Sequence, residues 1–445
     1  MEVTESRCIE IIRTELVRSG MTDADTLALG PLDWINACDY PAQIFLYENR
    51  LDARQLKRSL QQLLLDFPAF SGRCVVAADG IPSIVLNDAG LRFTEQNSAL
   101  TLTEFLHECR SSTEAGEYTD KIAAFKSAAS DSPLLAIRLT HLASGGSVLG
   151  VTHFHGVCDG GGMFQFFAAW SKVAKGEIYR APVFDRSLLQ NLQQSFNGTS
   201  PSQHDSFPGI SLLELMQLFT RVKNLAEHSK RQVIHFSAAD LAGIKRRALL
   251  HGKRPTRWFS SQDLLVAHLW REICLIPAEC DSMRLSYILD LRKRHGFELP
   301  EEYIGNAHSI RSGFLTKSML AQTDVVELAQ RVREISDSAD PISVGQDMAY
   351  LTQRIPGSNK LHITESALYP TETLTVNNLS NLPCYDLDLG VGNPIWYVPP
   401  EYPGCRIVHI VPSAQRDGGF DVHVKLGGDE MGRLRERHEA ALACP

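Results

Sequence analysis

The chain has 445 residues, of which 44% are hydrophobic and 22% are charged. This is the composition of an ordinary globular protein and excludes a disordered chain. The 44 Lys and Arg residues are outnumbered by 52 Asp and Glu residues, and the formal net charge of −8 argues against broad, sequence-independent binding of nucleic acid. No run of about 18 apolar residues occurs, so we expect no membrane span.

The ten cysteines and the N-terminus both indicate a reducing compartment. No two cysteines form a CxxC pair, which excludes zinc-ribbon and thioredoxin-like spacing, and we expect mostly buried free thiols. Residues 1–7 carry two acids and lead into a pattern without the apolar region of a signal peptide. The sequence therefore predicts a cytoplasmic protein.

The apolar pattern predicts mixed α/β structure in both halves of the chain. In the first half we expect helices over residues 9–19, 53–66 and 163–175, and strands over 42–47, 134–142 and 148–153, with a tight turn at 144–147. In the second half we expect helices near 238–250, 261–273 and 324–339, and strands near 284–290, 374, 405–411 and 420–425.

One stretch, residues 187–209, is rich in Gln, Ser, Asn and Pro and is typical of a linker. We therefore expect an N-terminal domain over residues 1–186, a crossover over 187–212 and a C-terminal domain over 213–445. Each domain is expected to combine a mixed sheet with helices.

The stretch from Gly150 to Gly162 contains the main candidate functional residues of this sequence. A predicted strand ends at His153, His155 lies in the turn that follows, and Asp159 precedes Gly160 and two further glycines. Histidine can take and return a proton near neutral pH, and glycines allow a ligand or another backbone to approach closely. From the residues alone, three interpretations stay open: His155 is a structural histidine, a general base, or a metal ligand together with His153 and Asp159.

These residues resemble the HxxxDG motif of the BAHD acyl-CoA-dependent acyltransferases, relatives of chloramphenicol acetyltransferase and of peptide-synthetase condensation domains. The second family motif, DFGWGxP, resembles Asp388-Leu-Gly390-Val391-Gly392-Asn-Pro394, with Leu and Val in place of Phe and Trp. Further similar segments follow in order: Pro31-Leu-Asp33, Phe67-Pro-Ala-Phe-Ser-Gly-Arg73, Ser260-Ser261-Gln262, Asp290-Leu-Arg292 and Tyr303-Ile-Gly305-Asn306-Ala307. The resemblance covers about residues 29–400.

The resemblance implies two chloramphenicol-acetyltransferase-like domains, joined by a long crossover and enclosing a channel with His155 at its middle. His155 would be the general base of a direct acyl transfer from CoA to an alcohol, and Cys158 would not be a nucleophile. Asp159 would pair with Arg292 and hold the loop together with Gly160. Asn377, eleven residues before Asp388, would stabilise the oxyanion, although it could equally be a turn residue. Asp388, Gly390 and Gly392 would shape the backbone.

The resemblance also implies partners: acyl-CoA as co-substrate and a small-molecule acceptor, no tightly bound cofactor and no metal, in a monomer. The candidate CoA contacts are Lys253, Arg254, Arg257, Ser260, Ser261, Gly305 and Asn306, and a solvated basic turn is the alternative for the first three.

Three rival functions remain from the sequence. They are N-acylation of an amine or polyamine, a catalytically silent condensation-like binding module, and metal-dependent hydrolysis through His153 and His155.

Overall fold

A computed structural model describes residues 9–21, 25–111, 115–122, 131–196, 207–252, 254–276, 281–358, 360–400 and 406–443. The strands are β1 Ile9–Val17, β2 Thr26–Ala28, β3 Ala42–Tyr47, β4 Arg73–Val76, β5 Pro82–Val85, β6 Leu91–Ser98, β7 Leu135–Leu142, β8 Ser147–His153, β9 Gly209–Ile210, β10 Ser229–Phe236, β11 Ser282–Asp290, β12 His308–Thr316, β13 Leu361–His362, β14 Thr373–Asn378, β15 Trp396–Val398, β16 Ile407–Pro412 and β17 Phe420–Gly427.

The helices are α1 Pro31–Trp34, α2 Ala53–Leu63, α3 Leu102–Ser111, α4 Gly160–Lys175, α5 Ser187–Gln190, α6 Leu212–Glu227, α7 Ala238–His251, α8 Ser261–Cys274, α9 Lys317–Gln322, α10 Val325–Asp337, α11 Pro341–Arg354, α12 Glu365–Leu368 and α13 Gly428–Ala443. Short 3₁₀ turns cover Pro68–Ser71, Ala115–Glu117 and Asn191–Phe196. No helix in the described ranges is long and apolar enough to cross a membrane.

Two six-stranded mixed sheets form the two halves of the molecule, with strand orders β1-β6-β7-β8-β3-β15 and β10-β17-β16-β14-β11-β12. The pairings β3-β8-β7-β6 and β10-β17-β16-β14 run antiparallel, antiparallel, parallel in both sheets. A helix follows the equivalent strands in each half, α4 after β8 and α13 after β17. The α/β class with a sheet in each half is therefore confirmed.

A segment from the second half of the chain completes the first half. The short strand β15 pairs antiparallel with β3 at the edge of the first sheet. Residues before it, including Cys384, Leu387 and Leu389, are buried in the same apolar core as α2 and α4. The two halves are therefore joined by a shared core segment as well as by the crossover.

The predicted helix over residues 9–19 is wrong, because this segment is the edge strand β1, paired with β6 from Ile9 opposite Ser98 to Val17 opposite Leu91. Its apolar residues have a helix-like spacing, yet Ile11 and Ile12 are both exposed on the strand. β-Branched residues favour an extended chain, and the pairing with β6 supplies the hydrogen bonds. The other expected helices and strands are present, with shifted ends.

Candidate active site

The loop that carries His155 connects β8 to α4 at the junction of the two halves. Asp159 caps α4, with its Oδ1 accepting a hydrogen bond from the backbone nitrogen of Gly162 at 2.9 Å. A Cβ atom on Gly161 would lie 2.5 Å from Nη1 of Arg292, so a side chain there would displace the guanidinium. The close approach that the glycine cluster permits is therefore the approach of Arg292. Gly160 has ordinary space around it.

Asp159 and Arg292 form a buried, two-pronged ion pair. Nη2 of Arg292 donates to Oδ1 at 2.7 Å and Nη1 donates to Oδ2 at 3.0 Å, with 6% and 8% of the two side chains exposed. The backbone nitrogen of Ala307 donates to Oδ2 at 2.8 Å. Burial opposes ionisation, but Arg292 holds the pKa of Asp159 well below its usual range. The expected pairing of Asp159 with Arg292 is thus present, and it joins the loop to the second half.

The backbone of His155 is held on both sides of the residue. Its nitrogen donates to the carbonyl of Asp39 at 2.9 Å, and its carbonyl accepts from Nδ2 of Asn306 at 2.8 Å. Only 8% of the residue is exposed. Its Nδ1 is fully buried and has no hydrogen-bond partner within the described ranges, which leaves Nε2 as the nitrogen that can face a ligand.

His153, the last residue of β8, and His155 in the loop both have lowered pKa values, which favours the neutral ring. Burial, and then the positive charge of His308, lower the pKa of His155, while the Asp39 carboxylate raises it in part. Burial lowers the pKa of His153 to about 3. A neutral imidazole is the form that can accept a proton, so the surroundings of His155 suit a general base.

A buried network behind the loop includes a residue that sequence reasoning missed, Arg186. Arg186 donates from Nε to Oδ2 of Asp33 at 2.8 Å and from Nη2 to the carbonyl of Val157 at 2.8 Å. Asp33 in turn accepts from both the backbone nitrogen and Nδ2 of Asn306, at 3.0 and 2.8 Å. No sequence pattern distinguishes Arg186 from other arginines, because its partners Asp33 and Val157 are distant from it in sequence. Through the Val157 carbonyl and Asn306, this network holds the backbone of the His155 loop in place.

The two asparagines at the end of β14 face opposite sides of the sheet. Asn378 lies on the face of Leu374 and Val376, where its Nδ2 donates to the hydroxyl of Tyr287 at 3.1 Å and its Oδ1 accepts from the backbone nitrogen of Ser380 at 3.1 Å. Asn377 is half-buried on the other face, opposite Ile288 and His409 in the ladder. No hydrogen bond joins Asn377 to His155 among the residues that the structure describes.

The loop from Asp388 to Gly392 is a backbone support distant from His155. Oδ1 of Asp388 accepts from the backbone nitrogens of Gly390 and Gly392 at 2.9 and 3.0 Å, and both glycines have positive φ angles of 93° and 97°. The Asp388 carbonyl accepts from Oγ of Ser171 at 2.8 Å. Ser171 lies about 18 Å along α4 from Asp159. The Asp388–Gly392 loop therefore contacts the C-terminal part of α4, away from the His155 loop.

The expected CoA contacts fall into four groups, the last of which is Gly305 and Asn306. Lys253 lies outside the described residues. Arg254 and Arg257 are exposed, but Nη2 of Arg257 is 3.0 Å from Asp337. Ser260 is the N-cap of α8, and its side chain accepts a hydrogen bond from the backbone nitrogen of Asp263. The Asp263 carboxylate also accepts two hydrogen bonds from Arg333. Ser261 is the first residue of the helix.

Gly305 and Asn306 are part of the support for the loop. The carbonyl of Gly305 accepts from Nη2 of Arg292 at 2.9 Å. Asn306 is 1% exposed, and its Nδ2 donates to Oδ1 of Asp33 and to the carbonyl of His155. A contact between Asn306 and CoA stays a prediction; in this structure the amide nitrogen of Asn306 positions the loop.

The arrangement gives little support to two alternative chemistries, a cysteine nucleophile and a metal site. Burial raises the pKa of the Cys158 thiol well above its usual range, so this cysteine stays protonated and is a poor nucleophile. The part of the chain that the structure describes holds no group of three or more His, Cys, Asp or Glu side chains placed to bind a metal. The rings of His153 and His155 lie 6.0 Å apart between centroids.

Comparison with known proteins gives matches along nearly the whole chain. A profile of the Transferase family matches residues 8–441. A hydroxycinnamoyltransferase of Narcissus pseudonarcissus is 26% identical over 441 residues, covering 95% of this chain and 97% of that protein. Agmatine coumaroyltransferase-1 of Hordeum vulgare is 27% identical, covering 93% of each. Shikimate O-hydroxycinnamoyltransferase of Nicotiana tabacum is 24% identical, covering 86% and 85%.

Solved structures show the same fold. Vinorine synthase superposes with a TM-score of 0.71 at 20% identity, covering 96% of both chains. TRI101 of F. graminearum, in complex with coenzyme A and T-2 mycotoxin, superposes with a TM-score of 0.74 at 17% identity, covering 93% of this chain and 97% of that one.

Proposed function

Because this chain belongs to the Transferase family, the BAHD acyl-CoA-dependent acyltransferases, we propose that it moves an acyl group from CoA to a hydroxyl group of a small specialised metabolite, with His155 as general base. The observation that carries the proposal is the state of His155: a neutral, buried imidazole whose backbone is held from both halves. A binding module has no need of a histidine held in this way.

In the proposed mechanism, Nε2 of His155 removes the hydroxyl proton as the acceptor oxygen attacks the thioester carbonyl carbon. The new C–O bond forms, and the carbonyl oxygen becomes an oxyanion. When the oxyanion collapses, the C–S bond breaks and His155 returns the proton to the CoA sulfur. A positioned base of this kind contributes about 10²–10⁴ in rate. No acyl-enzyme forms, in keeping with the protonated state of Cys158.

Asn377 is the proposed donor to the oxyanion. Its place at the end of β14, half-buried and on the face away from the helix-packed Leu374, leaves its amide available to a substrate. Losing one such donor costs roughly 2.7–4 kcal/mol of transition-state stabilisation. Asn378, on the opposite face and bonded to Tyr287, is a matched control because its loss should affect packing instead.

Amine acylation is the second candidate. Agmatine coumaroyltransferase-1 is among the relatives, and the half-buried Asp39 carboxylate acts on His155 electrostatically. A carboxylate in this position would favour a cationic acceptor. The shikimate O-hydroxycinnamoyltransferase relative supports the alcohol instead. Both relatives' names suggest aromatic acyl-CoA donors as the first to test.

The remaining proposals concern the working state of the protein. We propose that it acts as a cytoplasmic monomer without a tightly bound cofactor, with domains at 1–186 and 213–445 that together supply one site. The junction equivalent to His155 in the second half, between β17 and α13, is Gly427-Gly428 and carries no base. Arg254, Arg257 and Ser260–Ser261 remain proposed contacts for the nucleotide end of CoA.

The test is release of free thiol from a panel of acyl-CoAs, from acetyl to coumaroyl, against pooled alcohols and pooled amines. We expect acceptor-dependent release with at least one alcohol pool, which mass spectrometry of the ester product would identify. Release with amines alone would replace the alcohol proposal by the amine one. No release and no binding of CoA would instead favour the silent binding module.

A further inference from the structure

A histidine outside the proposed site lies between two carboxylates. Nδ1 of His235, near the end of β10, is 2.8 Å from Oδ1 of Asp421, its ladder partner on β17. Nε2 of the same ring is 3.0 Å from Oδ2 of Asp417, which lies in the turn between β16 and β17. The Asp421 carboxylate is buried, whereas His235 and Asp417 are partly exposed. The acyl-transfer mechanism above uses none of these three residues.

The two contacts together require a charged ring. A neutral imidazole has one nitrogen that donates and one that accepts, whereas an ionised carboxylate only accepts. In a neutral His235, one of the two contacts would bring two acceptors together, while the imidazolium donates from both nitrogens. Burial alone lowers the pKa of His235, but the hydrogen bonds and charges of Asp421 and Asp417 outweigh it and raise the pKa above its usual value.

We propose that His235, Asp417 and Asp421 form a pH-sensitive clamp, which holds the turn of residues 413–419 to β10 while His235 is protonated and releases the turn when His235 loses its proton. The proposal does not rest on the proposed acyl transfer. It concerns the stability of a contact between the two halves of the molecule.

The turn depends on support because one of its residues has an unfavourable backbone conformation. Arg416 has a positive φ of 54°, a region that residues other than glycine seldom adopt. The two carboxylates of the clamp also bind the turn itself. Oδ2 of Asp421 accepts from the backbone nitrogen of Ala414 at 2.9 Å. Oδ1 of Asp417 accepts from the backbone nitrogen of Gly419 at 2.9 Å. The clamp therefore joins an internally bonded turn to the edge strand β10.

The same turn contacts the segment that the second half contributes to the core of the first. Nη2 of Arg416 donates to the carbonyl of Tyr385 at 3.2 Å. Tyr385 and Cys384 are buried in the core that also contains residues of α2 and α4. When His235 is neutral, a lone pair replaces one N–H donor beside a carboxylate, so the turn loses part of its attachment to β10. The effect of pH should therefore reach this contact between the halves.

The other charged and titratable groups near His235 do not take part in the clamp. On its face of the sheet and in the elements that pack there, these groups are His409 on β16, His423 on β17, Arg416 in the turn, Asp240 in the first turn of α7, and Glu104, His107, Glu108 and Arg110 on α3. The helix α13 packs against the opposite face of β10, where Arg435 contacts Gln232. Within the described ranges, the ion pairs of His235 are those with the two aspartates.

The direction of the pH effect follows from the raised pKa. Histidine in an unfolded chain titrates near about pH 6.5. Because the folded pKa of His235 is higher, the stability that the clamp provides is fully present below the unfolded pKa. It is lost as the pH rises through the folded pKa.

The first test is an NMR titration of the full chain labelled with ¹³C at histidine Cε1, with the His235 signal assigned through His235→Gln. In the wild-type protein we expect a midpoint above pH 6.5. Asp417→Asn removes one charge and keeps an oxygen that can accept from Gly419, so the midpoint should fall by about one pH unit. In Asp429→Asn, which removes an exposed charge at the start of α13, the midpoint should stay in place.

A wild-type midpoint at or below 6.5 would overturn the inference. Equal midpoints in the wild-type protein and Asp417→Asn would do the same, because the charge of Asp417 would then have no effect on the ring.

The second test follows release of the turn by limited digestion with trypsin and mass spectrometry of the fragment that begins at Asp417. Arg416 is exposed, and cleavage after it needs the turn to open into an extended chain. Comparing the wild-type protein with His235→Gln at each pH cancels the pH dependence of trypsin itself. We expect the wild-type protein to be cleaved about tenfold more slowly than the variant at about pH 6, and the two rates to converge by about pH 9, because cleavage follows the open population. A rate ratio that is independent of pH would refute the clamp, since His235 would then only pack against the turn.

Discussion

The ion pair between Asp159 and Arg292 holds the His155 loop to the second half of the molecule, and its removal should cost folded protein as well as rate. In Asp159→Ala, the carboxylate that accepts from Arg292, Ala307 and Gly162 is lost. The guanidinium of Arg292 is then left buried without its main partner. Both consequences follow from geometry alone.

The magnitude combines two contributions. Removing one partner of a buried ion pair costs about 3–5 kcal/mol, because the other charge stays buried. Losing the N-cap of α4 adds about 0.5–2 kcal/mol. The two overlap, so we expect a total near 4–5 kcal/mol. If the affected half unfolds as a unit of about 220 residues, each kcal/mol lowers the Tm by about 2 °C, and the loss is roughly 8–10 °C.

Thermal unfolding followed by intrinsic fluorescence measures this loss, with Asp159→Asn and the double variant Asp159→Ala/Arg292→Met beside it. Asparagine can still cap the helix but cannot neutralise Arg292, so it should regain only the smaller part. The double variant should recover most of the Tm, because no charge is stranded. An Asp159→Ala protein with a wild-type Tm and a reduced rate alone would refute the structural role.

Three further predictions concern rate, pH dependence and acid stability. Asn377→Ala should lower kcat about 10²–10³-fold at an unchanged Tm; a lowered Tm with normal kcat would make it a packing residue. Asp39→Asn removes a charge that favours protonated His155, so the acid limb of kcat/KM should move to lower pH, and an upward move would reverse the assignment. Burial lowers the pKa of both His153 and His409 from 6.5 to about 3, so between these pH values the unfolded chain binds protons that the folded one does not. Each histidine should cost about 2 kcal/mol at pH 5 relative to pH 7, and urea midpoints that agree at the two pH values would contradict this.

Local sequence patterns predicted the elements that pack one face into a core. The α2 helix has Leu56, Leu60 and Leu63 on its buried face, and the β7–β8 hairpin turns at Gly145 with a positive φ of 95°. These features depend on neighbours in sequence, so they can be read from it. The edge strand β1 could not be predicted in this way, because both its faces are largely exposed and its partner β6 is distant in sequence.

Site residues that belong to a sequence motif could be predicted. Contacts between residues that are distant in sequence could not. His155, Asp159 and Arg292 were found through the resemblance, and the ion pair is present. The support that Asn306 gives to the His155 loop was not predicted, because its amide nitrogen turns inward to Asp33 and the His155 carbonyl. Contacts of this kind join residues more than 100 positions apart, and no local pattern records them.

The central claim, that His155 is the base of acyl transfer, is tested most directly by comparing kcat/KM of the wild-type protein, His155→Gln and His153→Gln with one active donor and acceptor pair. His153 ends β8 and His155 lies two residues further on, and both are buried, so a loss of packing should affect the two variants alike. We predict a loss of about 10²–10⁴ for His155→Gln and a change of only a few-fold for His153→Gln. Equal activity of the wild-type protein and a folded His155→Gln variant would contradict the account.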